Sequence, residues 1–272
     1  VRLVNVKKIY PFVSGEEKKK KDREKIVNTY ARYDLAVKQG KGAVCTSYEG
    51  REYIDFTSGI GVNSLGFCDD GWVKAVTEQL NKLQHISNLF YTEPQVKAAE
   101  LLTAKTGMSK VFFGNSGAEA NEAAIKTARK YGSKVKGNSL NKIVTLVNSF
   151  HGRTMATITA TGQDHYHQYF TPFVEGFAYC EPDNIQQLEE LVDDNTCAVM
   201  LEMIQGEGGV IALSEEFVKA VEKLCRQKDI LLIIDEVQTG VGRTGRMFCY
   251  EHYGIKPDMV TFAKGIGGGL PV

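Results

Sequence analysis

The sequence has no surplus of charge of one sign, no paired cysteines and no histidine cluster. Lysine plus arginine and aspartate plus glutamate each number 33 in 272 residues, so the formal net charge is zero. Composition therefore gives no reason to expect a nucleic-acid partner. The six cysteines are widely spread without a C-x-x-C pair, which favours free thiols over a disulfide framework. Without Cys or His residues at ligand spacing, no metal site is predicted.

Long apolar runs are also missing. No stretch approaches the ~20 apolar residues that a membrane-spanning helix needs. The N-terminus mixes apolar and basic residues, and it has neither the continuous apolar stretch nor the small-residue cleavage site of a signal peptide. We therefore expect a cytoplasmic protein that does not bind membranes. The lysines of Lys18–Lys21 are expected to begin a solvated helix.

Two regions of different rhythm predict the domain organisation. Residues 1–92 are interpreted as an N-terminal arm and part of a small domain, and residues 93–272 as a large domain. In the first region, the arm contains a charged helix before about Leu35. The remaining elements predicted there are strands at Ala43–Tyr48 and Glu52–Phe56 and a helix at Trp72–Leu83.

In the second region, helical patterns alternate with short apolar runs, which favours βα units and a mostly parallel sheet. The predicted strands are Val111–Phe113, Ile143–Val147, Ala198–Leu201, Ile230–Ile234 and Met259–Phe262. The predicted helices are Gln95–Thr106, Ala118–Tyr131, Ile185–Val192 and Glu215–Lys228. Polar and glycine-rich residues follow several strands, and parallel sheets bind ligands outside the carboxyl ends of their strands. The pattern therefore predicts an active site at that edge.

Lys264 and Asp235 each end an apolar run. Burial of Lys264 would disfavour its cation and leave a free amine for covalent chemistry on a carbonyl. Glycines at Gly265 and Gly267–Gly269 would let a bulky group approach. A buried Asp235 would need a partner such as a protonated ring nitrogen. Each residue considered alone also has a structural interpretation. Lys264 could simply reach solvent, and Asp235 could belong to a cap or to an ion pair in a loop.

Three further segments carry candidate residues. Gly114–Ala120 joins a strand to a helix. The first N–H groups of that helix could bind a phosphate. Alternatively, the segment is an ordinary helix start capped by Ser116. In Phe150–Arg153, the phenylalanine could cover a planar cofactor and the arginine could bind a carboxylate, unless they are a core and a surface residue. Glu202 and Glu207 could form an acid–base pair or belong to a glycine-rich turn.

Gly240–Gly245 matches the G-x-G-x-x-G pattern of dinucleotide-binding folds literally. The context does not fit, because Asp235–Thr239 separate it from the strand and no clear helix opening follows. The near match to a P-loop fails at Arg246 and Met247, where lysine and serine or threonine are required. A nicotinamide-dependent oxidoreductase is kept as the alternative enzyme, and a cofactor-free interaction protein as the alternative without catalysis.

Taken together, the segments resemble the class III (subgroup II) aminotransferases, which use pyridoxal phosphate on a fold-type I scaffold. The resemblance runs from about Tyr30 to the end of the chain. The motifs that carry it are Asn115–Glu122, Phe150–Thr154, Gln205–Gly209, Asp235–Gly240 and Ala263–Gly265. It implies an α/β fold with a mostly parallel seven-stranded sheet flanked by helices, and a homodimer with active sites at the subunit interface.

The resemblance also implies roles for individual residues. Lys264 would bond covalently to the cofactor and later move the substrate proton. Asp235 would hold the pyridinium N–H, so that the ring remains an electron sink. The other cofactor-binding residues implied are Ser116, Gly117 and Ala118 at the phosphate, Phe150 on the ring, Gln238 at the phenolic oxygen, and Glu236 and Val237. The substrate-binding residues implied are Arg153, Glu207, Tyr30 and Ile60.

Within the family, the chain is most similar to the acetylornithine aminotransferases of arginine biosynthesis. The implied reaction is ping-pong transamination of N2-acetylornithine with 2-oxoglutarate. Related ornithine enzymes carry an aromatic residue near the position of Ile60, where this sequence has an aliphatic one. Ornithine, 4-aminobutyrate and succinylornithine remain alternative amino donors. Glu207 resembles the glutamate that pairs with an arginine when 2-oxoglutarate is absent.

Two departures from the family accompany the resemblance. Phe67–Asp70 stands where the family usually has a histidine-rich turn. The sequence also ends at Val272, whereas the family continues with a further helical and small-domain segment. That segment carries the arginine partner of Glu207 and a residue that binds the neighbouring subunit's phosphate. We therefore expect a fragment that is inactive or poorly folded by itself, with part of its core exposed.

Overall fold

The computed structural model describes residues 14–137 and 141–272. The described residues form two compact units, divided between His85 and Ile86. The first 13 residues of the predicted arm lie outside the described residues. The first unit contains α1 (Gly15–Lys25), β1 (Val37–Lys41), β2 (Val44–Ser47), β3 (Glu52–Ile54), the short turn α2 (Ser58–Gly61) and α3 (Asp70–Lys82). Strands β1, β2 and β3 form an antiparallel sheet in that order.

Capping and charge explain the helices of the first unit. The Ser14 hydroxyl accepts the Glu17 N–H at 3.2 Å and begins α1, whose lysines and glutamates form ion pairs along its surface. Asp69 caps α3 by accepting the Trp72 N–H at 2.8 Å. Strands β2 and β3 lie where the apolar patterns predict them, whereas β1 was not predicted.

The second unit is a parallel sheet with helices on both faces. Its helices are α4 (Glu93–Thr106), α5 (Gly117–Lys134), α6 (Met155–Ala160), α7 (Asp164–His167), α8 (Ile185–Leu191), α9 (Glu215–Lys228) and α10 (Tyr250–Tyr253). Its strands are β4 (Lys142–Leu146), β5 (Phe177–Cys180), β6 (Thr196–Leu201), β7 (Ile204–Gln205), β8 (Ile211–Ala212), β9 (Leu231–Asp235) and β10 (Met259–Thr261). The main sheet has the order β10-β9-β6-β4-β5, and each neighbouring pair is parallel.

Alternating side chains build one core on each face of this sheet. In β9, Leu232 and Ile234 pack with Phe217 and Val221 of α9. Ile233 points to the other face and belongs to the cluster that contains residues of α5. The central strand β6 is buried along its whole length. Burial on both faces explains why these strands are continuous apolar runs.

The sheet differs from the sequence prediction in two places. Among the described residues it has five strands, whereas seven were expected. The prediction of a strand at Val111–Phe113 was wrong: these residues have no strand partner among those described, and Phe112 is exposed. Strand β5 (Phe177–Cys180) was missed, and it pairs with β4 at the sheet edge.

All six cysteines are free. Within residues 14–137 and 141–272, no group of three or more His, Cys, Asp or Glu side chains is arranged to hold a metal ion. No helix in the same ranges is long and apolar enough to cross a membrane.

Candidate functional site

Lys264 begins a short 3-10 turn, Lys264–Ile266, just beyond the end of β10. It has a left-handed backbone with φ 49°, which non-glycine residues adopt infrequently. Burial lowers the pKa of its ammonium group, and the carboxylates of Asp235, Glu207 and Glu202 oppose this shift. Its Nζ has no hydrogen bond or ion pair to any residue that the structure describes. The side chain is therefore a half-buried amine that deprotonates more readily than an ordinary lysine.

Asp235 is the last residue of β9 and is only 3 % exposed. Its Oδ2 accepts a hydrogen bond from Asn121 Nδ2 at 2.7 Å and lies 2.8 Å from His151 Nδ1. Its Oδ1 accepts the Val237 N–H at 2.9 Å. These contacts provide the partners that a buried carboxylate requires. They also connect the ends of three elements at one edge of the sheet.

His151 is the hydrogen-bonded imidazole partner of Asp235. Burial alone would lower the pKa of its imidazole, but the hydrogen bond to Asp235 and the charges of Asp235 and Glu202 outweigh burial and raise it. His151 Nε2 is buried without a hydrogen-bond partner among the described residues. The imidazole is therefore held by Asp235 through one nitrogen, with Asn121 fixing the backbone beside it through a 2.8 Å hydrogen bond to the His151 carbonyl.

Helix α5 begins beside these groups. The Ser116 hydroxyl caps it by accepting the Glu119 N–H at 3.2 Å. The N–H groups of the first turn, which include those of Gly117 and Ala118, have no partner within the helix and form the positive end of its dipole. A Cβ built on Gly117 would lie 2.7 Å from Val237 Cγ1, so the Val237 side chain rests directly on the glycine. The start of α5 and the loop after β9 are thus in close contact.

The loop after β4 brings Phe150 to the same edge. A Cβ on Gly152 would lie 2.9 Å from Ala118 Cβ, and the φ of 136° also requires glycine there. This close approach places the Phe150–Arg153 loop against the start of α5. The half-buried Phe150 ring lies beside the aromatic ring of Tyr166, with ring centroids 5.4 Å apart and the planes tilted by 56°. The Arg153 side chain is exposed.

Glu202 and Glu207, the two candidates for an acid–base pair, have no hydrogen bond to each other among the described residues. Glu202 is buried, and its Oε2 accepts the Phe150 N–H at 2.9 Å. Glu207 is exposed, and its Oε1 lies 3.4 Å from Gln238 Nε2 as a hydrogen-bond acceptor. The two carboxylates therefore have different partners and different surroundings.

The remaining residues named from the resemblance lie in different places. Glu236 is buried and turned into the fold, where its carboxylate accepts hydrogen bonds from Thr239 Oγ1 and the Tyr250 N–H. Tyr30 and Ile60 lie in the first unit and are exposed; Ile60 has a left-handed backbone with φ 59°. Their roles stay predictions. Gly240–Gly245 forms consecutive turns rather than a helix start, so the dinucleotide fingerprint lacks its required context.

The second unit thus offers the groups that the expected cofactor needs. A carboxylate has about four acceptor positions, and Asn121, His151 and Val237 take three of those on Asp235. One position is left for a ring N–H. The amine of Lys264, the ring of Phe150 and the N–H groups of α5 supply the nucleophile, the ring platform and the anion site. The residue types and their burial therefore fit pyridoxal phosphate.

We expect Gly117→Ala to weaken cofactor binding by about tenfold or more, which is ~1.4 kcal/mol. The new Cβ would overlap Val237, so the helix start or the β9 loop must shift, and the first N–H groups of α5 shift with it. Cofactor Kd measured by fluorescence titration tests this. Gly71→Ala, in the first turn of α3, is the control, because its Cβ meets a flexible side-chain oxygen of Asp69 at 3.3 Å. An unchanged Kd in Gly117→Ala would show that this packing is not needed.

Asn121 and His151 lie within the sequence motifs but had no predicted role, and Tyr166 and Thr261 were not predicted as site residues. Helical spacing could have found Asn121, which lies one turn after Gly117 on the same face. Thr261 pairs in register with Asp235 across β9 and β10, and its hydroxyl donates to Asn121 Oδ1 at 2.6 Å. That contact depends on strand register, which the sequence does not display.

Comparison with known proteins gives a consistent picture. A family model described as aminotransferase class-III matches residues 26–272. An acetylornithine aminotransferase from Haemophilus ducreyi is 51 % identical over 261 residues, which is 96 % of this chain and 66 % of that protein. A protein of the same name from Methanocaldococcus jannaschii is 47 % identical over 89 % of this chain and 61 % of its own length.

Solved structures show the same likeness. The ornithine aminotransferase from Toxoplasma gondii, described with partial PLP occupancy at its active site, has a TM-score of 0.93 at 32 % identity, covering 100 % of this chain and 65 % of its own. The N-acetylornithine aminotransferase from Stenotrophomonas maltophilia has a TM-score of 0.77 at 40 % identity, covering 89 % and 61 %. The chain spans just under two thirds of these relatives.

Proposed function

Since the chain belongs to the class-III aminotransferases, we propose that it serves pyridoxal-phosphate-dependent transamination of N2-acetylornithine with 2-oxoglutarate. The products would be N-acetylglutamate 5-semialdehyde and glutamate, a step of arginine biosynthesis. The observation that carries the proposal is the half-buried Lys264, whose pKa is lowered by burial and which lies within the electrostatic reach of Asp235.

Lys264 and Asp235 have the catalytic roles in the proposed reaction. Lys264 Nζ would hold the cofactor covalently and, as a free amine, would take the proton from the carbon that carries the reacting amine. Asp235 would hold the ring N–H, and His151 and Asn121 keep its carboxylate in place. When bound, pyridoxal phosphate supplies an electron sink for this chemistry.

Other residues bind and orient the two reactants. The N–H groups of Gly117 and Ala118, with Ser116, would hold the phosphate. Phe150 would cover the ring, and Gln238 would bind the phenolic oxygen, while Val237 packs against the start of α5. Arg153 is exposed and binds the carboxylate of the substrate. Glu236, Tyr30, Ile60 and Glu207 complete the proposed cofactor and substrate contacts.

We further propose a cytoplasmic homodimer whose active sites lie at the subunit interface. The second unit supports this with large exposed apolar side chains, which on a soluble surface mark interaction sites. These side chains include Leu89, Phe90, Tyr91, Leu101 and Phe112. We also propose that residues 1–92 form an arm with part of a small domain and that residues 93–272 form a cofactor-binding domain.

Substrate preference tests the proposal. Purified full-length protein should show the visible absorption of lysine-bound pyridoxal phosphate, and its kcat/KM should be highest for N-acetylornithine among the amino donors tested. Ornithine, 4-aminobutyrate and succinylornithine are the comparison amines, and ornithine is included because a structural neighbour at 32 % identity is an ornithine aminotransferase. A higher kcat/KM for any of the three would overturn the choice of substrate. A protein that binds nicotinamide nucleotide and lacks the visible band would overturn the enzyme class.

A further inference from the structure

Glu202 is the residue that follows the central strand β6, and it is 5 % exposed. A carboxyl group so deep in the fold requires hydrogen-bond partners. Its burial raises its pKa to about 7, with His151 lowering it and Asp235 raising it. The group therefore lies at the carboxyl edge of the sheet, beside the His151–Asp235 pair, and is almost wholly buried.

One backbone N–H group is hydrogen-bonded to this carboxyl group, and a second stabilises its charged form. Phe150 N donates to Oε2 at 2.9 Å, and the Gly206 N–H favours the ionised carboxyl group and so lowers its pKa. Phe150 lies in the loop after β4, and Gly206 lies in the turn after β7. A single side chain thus connects two loops that approach the site from different strands.

Both loops carry groups of the proposed site. The first loop presents the Phe150 ring. The second presents Glu207, and the backbone of Gly206 packs so closely on the Gln238 amide that any Cβ there would overlap it. A shift of Gly206 would therefore move Glu207 and Gln238 together.

We propose that Glu202 is a positioning residue, whose carboxyl group fixes the Phe150 ring and the Glu207–Gln238 pair relative to the cofactor. This rests on the proposed cofactor site. The Glu202 carboxyl group accepts the Phe150 N–H and is stabilised in its charged form by the Gly206 N–H. Glutamine has one acceptor oxygen and can serve one of the two donors well, whereas alanine can serve neither.

Amide hydrogen exchange in cofactor-free protein tests the hydrogen bonds directly. Above pH 7, where the carboxyl group of the wild type is mostly ionised, the amides of Phe150 and Gly206 should exchange about 10- to 100-fold faster in Glu202→Ala than in the wild type, the range expected from the loss of an interaction with a charged group. The Tyr250 amide is the internal reference, since it donates to the buried carboxylate of Glu236 at 2.8 Å and should not change. Unchanged exchange at Phe150 and Gly206 would overturn the proposal.

The effect on the site is measured in the cofactor-bound protein. Glu202→Ala should alter the visible circular dichroism of the bound cofactor and lower kcat about 10- to 100-fold, with a smaller change in KM. Glu202→Gln should fall between wild type and alanine, and it replaces the alanine variant if that one does not fold. Glu189→Ala, which removes an exposed glutamate of α8, should behave as wild type.

Two results separate the possible failures. Faster exchange with unchanged circular dichroism and kcat would mean that Glu202 stabilises the loops without positioning the site, which overturns the proposal. Wild-type protein that binds no pyridoxal phosphate would overturn the proposed function instead, and the exchange rates would still decide whether Glu202 holds the two amides.

Discussion

Lys264→Ala will lose the visible absorption band of bound cofactor, and its turnover will fall by at least about 10³-fold. Acid–base catalysis by a positioned side chain contributes ~10²–10⁴-fold, and the alanine variant also loses the covalent attachment. The structure gives the reason for the large effect. The amine of Lys264 has no hydrogen bond to any described residue, and burial has lowered its pKa. The neutral amine is therefore available as a nucleophile and as a base.

The direction of the pKa shift adds a test of the same residue. A lysine with a lowered pKa releases its proton at a lower pH than the ordinary value of 10.5. Covalent attachment in the wild type should therefore proceed at a lower pH than it would with an ordinary lysine amine. Lys264→Arg should resemble alanine, because guanidinium keeps its proton at every accessible pH.

The surface variant Lys256→Ala is the matched control for loss of a lysine, since the side chain of Lys256 is exposed. It should retain the band and the turnover of the wild type. If the band persisted in Lys264→Ala at the same position and intensity, another residue would be the attachment site, and the role given to Lys264 would be wrong.

Much of the second unit could be predicted because its strands are buried on both faces. Such strands read as continuous apolar runs, and β4, β6, β9 and β10 lie within a few residues of their predicted positions. The carboxyl ends of parallel strands share one edge, so Asp235, Phe150 and Lys264 could be grouped without any knowledge of distances. Strand β5 was missed because it is half-buried at the edge of the sheet, where the apolar signal is weaker.

The buried polar contacts of the site could not be predicted in the same way. Glu202 was read as an acid–base candidate, because its partners, the backbone N–H groups of Phe150 and Gly206, carry no sequence signal. The contacts of His151 and Asn121 with Asp235 form only when the fold brings α5 and the loop after β4 to the end of β9. Asn121 and Asp235 are 114 residues apart in sequence. Val111–Phe113 shows the converse: an apolar run is not a strand without a partner to pair with.

Asp235→Asn will lower the pKa of His151 below its ordinary value and reduce turnover about 10²- to 10³-fold, the usual effect of removing one preorganised electrostatic group. In the wild type, Asp235 supplies the hydrogen bond and most of the charge that raise the His151 pKa against burial. Asparagine is nearly the same size, and its oxygen can still accept the Val237 N–H. Its NH2 group, however, would face the donor Nδ2 of Asn121, 2.7 Å from the present oxygen.

The sign of this effect can be followed by NMR titration of His151 in cofactor-free protein. A raised pKa keeps the wild-type imidazole charged above pH 6.5, and its stabilising contribution is lost as the pH rises through that raised value. In Asp235→Asn, burial is the main remaining cause, so the imidazole stays neutral until the pH falls below 6.5. The difference in the free energy of unfolding between the two proteins should therefore be larger at acidic than at alkaline pH. Asp194→Asn, at an exposed position, should leave the titration unchanged. If His151 titrated identically in Asp235→Asn and in the wild type, Asp235 would not be its charge partner, and the same carboxylate could no longer be assigned to the ring nitrogen on electrostatic grounds.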